Sequence, residues 1–175
     1  MNKITDRAST FANPVFRGIA YAVVAMVLSV FHVVFLRFVA VGSITPDLLL
    51  ILVVWVAMTE GQFMGTVAGF ACGLLFDSVS GDVIGTNALA KTIAGFVAGY
   101  FFKSGYGINI VGSYRFLLIV SLVGLIHNLI YFTFYVRPMQ VGFFDFVITY
   151  GVATTLYTTV VAVFPMLYVN RRQDR

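Results

Sequence analysis

The chain has 175 residues, 60% of them hydrophobic and only 10% charged, with a formal net charge of +4. A soluble domain carries about 25% charged residues, so this chain lacks the polar surface to coat a water-soluble globule, and its length allows one domain. The small, scattered charge argues against nucleic acid as a partner, and the single cysteine, Cys72, rules out an intramolecular disulfide and a cysteine-based metal site.

With a mean hydropathy of +0.96, the chain reads as an all-α integral membrane protein. The first apolar run predicts a helix over 18–41. Ala40-Val41-Gly42-Ser43 faintly resembles a signal cleavage site, but the run before it is too long for a signal core and Arg37 interrupts its end. It is read as a retained span. Pro46-Asp47 opens the next helix, 45–60, because proline suits a first turn and aspartate the positive end of the helix dipole. Glu60-Gly61 is a turn, with Glu60 expected in solvent, and a third helix runs over 62–79. After a compact turn holding Asp82, likewise expected in solvent, come helices 83–102, 114–136 and 145–169, with a loop over 103–112 and Arg137-Pro138 closing the fifth span. Aromatic residues such as Tyr21, Tyr100, Tyr114, Tyr131, Tyr135, Phe143, Phe144 and Tyr168 crowd the expected span ends.

The second and third runs are shorter than the roughly 20 residues of a perpendicular span, so charge asymmetry decides the count. Six spans with a cytoplasmic start place Lys3, Arg7, Arg17, Lys103, Arg115, Arg171, Arg172 and Arg175 inside, against Arg37 and Arg137 outside. Five spans leave only Lys3, Arg7, Arg17 and Arg137 inside, against the remaining six outside. The positive-inside tendency selects one bundle of six transmembrane helices with both termini cytoplasmic.

Small residues recur every fourth position from Gly61 through Gly65, Gly69 and Gly73 to Asp77, Gly81 and Gly85, and Gly95 and Gly99 continue the spacing after Lys91. Such spacing lets two membrane helices approach backbone to backbone. It serves either packing within the bundle or a groove that receives another protein's helix. Asp77 and Lys91 lie within apolar helices, where an ionisable group needs a partner, water or a task. They either pair across the hairpin, with Asn87 assisting, or act separately, Asp77 capping the turn and Lys91 snorkelling to water. His127-Asn128 falls about 18 Å into the fifth helix, where hydrogen bonds to a neighbouring helix are expected rather than a metal site with His32. No nucleophile–base spacing, HExxH motif, phosphate loop or acidic pair is present, so neither enzyme activity nor a cofactor is expected.

Pro46-Asp47-Leu48-Leu49-Leu50, then Gly69-Phe70-Ala71-Cys72-Gly73-Leu74-Leu75-Phe76-Asp77, then Gly85-Thr86-Asn87-Ala88-Leu89 resemble the rod shape-determining protein MreD family, and the similarity covers essentially the whole chain. That resemblance implies a non-enzymatic, multi-pass inner-membrane component of the elongation machinery. It implies a bitopic partner, MreC, with indirect links to the MreB filament and peptidoglycan synthases. It also implies a fold similar to the substrate-binding S components of energy-coupling-factor vitamin transporters, which supplies the rival function. For that rival, Asp77, Asp82, Asn87, Lys91, Tyr131, Tyr135 and Arg137 are the candidate pocket residues. A proton- or ion-coupled carrier using His127 is a third reading. The expected function is a scaffold whose glycine-lined face holds the partner's transmembrane helix.

Overall fold

The computed structural model describes residues 13–41, 44–81, 83–135 and 147–173. The expectations placed on Lys3, Arg7, Asp82, Arg137, Pro138, Phe143, Phe144 and Arg175, and on the side chains of Arg37 and Tyr135, lie outside the described residues. Helix α1 (Pro14–Val39) begins where the Asn13 side chain accepts the Val15 N–H and Pro14 takes the first helical position. Helix α2 (Leu48–Glu60) is capped by Asp47, whose Oδ1 accepts from the Leu50 N–H at 2.9 Å. Gly61, at φ 99°, turns the chain directly into α3 (Gln62–Ser80), which closes on Gly81 at φ 78°. Both conformations are ones that a Cβ disfavours.

Helix α4 (Thr86–Gly99) is shorter than the expected 83–102. At its far end Tyr100, Phe101 and Phe102 donate to carbonyls three residues back, so the α-helix tightens instead of continuing. The stretch read as a loop over 103–112 contains a short helix, α5 (Gly107–Val111). Helix α6 (Tyr114–Tyr135) follows, and a π-helical turn (Val147–Val152) leads into α7 (Ala153–Gln173), with Pro165 inside it. Among the described residues there is no strand, only an isolated bridge between Val41 and Ile44.

Among the described residues, four segments are long and apolar enough to cross a membrane: Pro14–Leu36, Gln62–Ser80, Tyr114–Phe134 and Val147–Gln173. Helix α2 has only 13 residues, yet it is the centre of the bundle. Leu49, Val53, Val54, Ala57 and Met58 are fully buried. On one side α2 packs with Ala94, Ala98, Phe116, Val120, Val123 and Ala162; on the other, with Ala25 and Cys72. Protein rather than lipid surrounds it, so its apolar length need not match a bilayer. Helix α1 is the opposite case, with only 17% of its membrane-length window buried.

The glycine ladder is the seam between α3 and α4. A Cβ at Gly69 would collide with the Lys91 carbonyl, one at Gly73 with the backbone of Asn87 and Ala88, and one at Gly95 with the Gly65 carbonyl. Gly65 also lies against Ala57 of α2, and Gly99 against Gln62. Gly61 belongs to the turn, where its positive φ is the requirement and its nearest neighbour is the Phe102 ring. The expectation that this face receives a foreign helix is therefore corrected: α4 of the same chain already fills it.

Gly69→Ala should force the two backbones apart and destabilise the protein by about 1–3 kcal/mol. Gly18→Ala, where a Cβ meets nothing within 4 Å, should be neutral or slightly stabilising. Thermal unfolding in detergent distinguishes the two, and equal melting temperatures would contradict the seam.

Candidate functional site

The polar core is assembled where the start of α2 meets the interior faces of α4 and α6. Lys91 projects from α4 and is 1% exposed. Its Nζ donates to Asp47 Oδ2 at 2.6 Å and to Asn87 Oδ1 at 3.1 Å, and it lies 3.3 Å from His127 Nε2. The Phe76 ring sits 5.3 Å from the same ammonium, and His32 meets that ring edge-on at 4.8 Å. His127 Nε2 is 3.9 Å from Asp47 Oδ2, and Tyr131 stacks parallel to the imidazole. His127 therefore turns Nε2 toward the Lys91 ammonium and Nδ1 away from it. Neither that Nδ1 nor Asn87 Nδ2 has a hydrogen-bond partner among the described residues.

An Asp77–Lys91 pair does not form. Asp77 accepts from the backbone N–H groups of Gly85 at 2.8 Å and of Asn87 and Ala88 at 3.2 Å. It therefore neutralises the positive end of α4 and stitches that helix to α3. Lys91, one turn beyond Asn87, reaches Asp47 instead of snorkelling to water. Sequence reasoning assigned Asp47 only a capping role. The available signal was that a cap uses one carboxylate oxygen, leaving the second for a cation at the same depth.

His127 and Asn128 are adjacent but serve different neighbours. Asn128 Nδ2 donates to the Gly151 carbonyl at 3.1 Å and to Thr155 Oγ1 at 2.9 Å, while Thr155 Oγ1 donates to the same carbonyl at 2.8 Å. This fastens α6 to the π-helical turn. Glu60, expected in solvent, is engaged at the far end of α2: Arg17 Nη2 lies 2.8 Å from Oε2, and the Tyr21 hydroxyl donates to Oε1 at 3.0 Å. Helix α2 is thus held by an ion pair at each end. Among the described residues no three His, Cys, Asp or Glu side chains gather as a metal site. The cluster's chemistry is that of charge neutralisation and helix positioning.

A family model described as rod shape-determining protein MreD matches residues 9–171, nearly the whole chain. No curated protein and no solved structure matches.

Removing one member of a buried ion pair leaves an uncompensated charge, at a cost of about 3–5 kcal/mol. Lys91→Met and Asp47→Asn should each lower the melting temperature strongly. The Asp47→Asn/Lys91→Met double variant should be much more stable than the sum of the single losses predicts. Additive losses in a double-mutant cycle would show that the two groups are not coupled.

Proposed function

The chain belongs to the rod shape-determining protein MreD family, and from that membership we propose a non-enzymatic membrane scaffold that holds the helix of a bitopic, MreC-like partner within the cell-elongation complex. The family's role is in determining rod shape. The finer assignment, with MreB and peptidoglycan synthases reached indirectly through the partner, is our reading. So is the topology of six helices in the cytoplasmic membrane with both termini inside, which rests on the charge asymmetry.

The observation that carries a scaffold over a vitamin-binding subunit is the use made of the polar groups. A solute pocket needs convergent polar groups turned toward a cavity. Asp77 is engaged by the N-terminus of α4, and Lys91 by Asp47 and Asn87. These bonds fix helices to one another. They also count against a carrier in which His127 moves protons, because its Nε2 faces the Lys91 ammonium.

With the glycine seam filled, the docking surface falls on α1. Val23, Val27, Val30 and Val34 are at least half exposed and spaced four, three and four residues apart. That is the repeat with which one helix presents a seam to another. A helix packed there would lie against the least enclosed element of the bundle, away from the polar core.

A photoreactive residue at Val27 or Val30 should crosslink to the partner, whereas one at Leu89 of α4 should not. Adducts from Leu89 alone would move the interface to α4. A vitamin retained stoichiometrically through purification would replace the scaffold reading with the transporter one.

A further inference from the structure

On the side of α1 turned away from the valine ridge, α1, α2 and α7 enclose an apolar groove of about 250 Å³. Leu28 of α1, Leu52 and Trp55 of α2, and Val161 and Pro165 of α7 line it. The groove is open along one side and lined by apolar side chains, a surface that an extended hydrocarbon chain lying along the helices would cover.

Two arginines lie beyond one end of this apolar lining. Tyr157 of α7 donates to the carbonyl of Val39 in α1 at 2.9 Å, so the start of α7 meets the end of α1 and the two helices run antiparallel. Arg17 near the start of α1 and Arg172 near the end of α7 therefore lie at the same end. Arg17 is eleven residues from Leu28; Arg172 is seven from Pro165 and eleven from Val161. Each spacing returns to within about 20° of the same helix face. Arg172 is exposed and stacks on the Tyr168 ring at 4.9 Å. The Arg17 side chain is 43% exposed and gives Nη2 to Glu60. Both arginines sit about 10–17 Å along the helix axes from the apolar lining, the separation between an acyl chain and its headgroup.

We propose that this groove is a binding site for one phospholipid with an anionic headgroup, its acyl chain against Leu52, Trp55 and Pro165 and its phosphate between Arg17 and Arg172. The site binds through charge at one end and shape at the other. It is independent of the scaffold reading, since Leu28 lies about 130° around α1 from the centre of the valine ridge.

The test is native mass spectrometry of the full chain released from bilayers containing equal amounts of phosphatidylglycerol and phosphatidylcholine with identical acyl chains. One phosphatidylglycerol should be retained in preference. Arg172→Gln should lower that retention about fivefold, the effect of one arginine near a headgroup. Arg171→Gln, turned about 100° away on the helix, should change it little. Leu52→Trp, which fills the groove, should lower retention of both lipids. Equal retention of the two lipids, equal loss in the two arginine variants, undiminished binding to Leu52→Trp, or a protein segment crosslinked inside the groove would each overturn the proposal.

Discussion

An ammonium group within an apolar bundle must be neutralised, and the arrangement around Lys91 follows from that constraint. Asp47 supplies the opposite charge through Oδ2 while its Oδ1 caps α2 and its backbone N–H donates to Thr158 of α7 at 2.9 Å. One residue at a helix start thereby ties together α2, α4 and α7, and the imidazole of α6 completes the contact. The low-dielectric surroundings that make an isolated charge so expensive also strengthen the pair that forms. Specific placement of four helices is what results.

A second constraint is steric. Along the seam between α3 and α4 the two main chains touch, so no rotamer change can absorb an added methyl group. Asp77 closes one end of that seam by accepting three N–H groups from the neighbouring helix start. The hairpin is thus closely packed along its length. Around it, α2 is enclosed by protein, whereas α1 presents most of its surface outward. A closely packed interior is thus combined with one largely exposed peripheral helix.

Much of this was legible in the residues, and the reasons for the misses are physical. Membrane character follows from composition, and the segment matches carried the family. The cap at Asp47 and the turn at Gly61 are local signals, set by side chains within a few positions of the backbone they serve. The occupant of the glycine face is not local. Fourfold spacing requires a close neighbour without saying which one, and here it is the next helix in the chain. The ion pair joins residues 44 positions apart, and depth alone could not separate Asp47 from Asp77. Helix α5 hid in a glycine-rich stretch. The π-helical turn at Val147–Val152 leaves no mark on an apolar pattern, since every one of its neighbours is compatible with an ordinary helix.

Helix α4 has a bearing on how the protein is made. At 14 residues with a lysine in its interior, it is not among the segments long and apolar enough to cross a membrane by themselves. Placing a lone lysine at mid-depth opposes insertion by about 2.5–3.5 kcal/mol. The carboxylate that neutralises Lys91 and the glycine-bare surface that α4 packs on belong to α2 and α3, which precede it in the chain. Burial of Lys91 therefore depends on helices that leave the ribosome first.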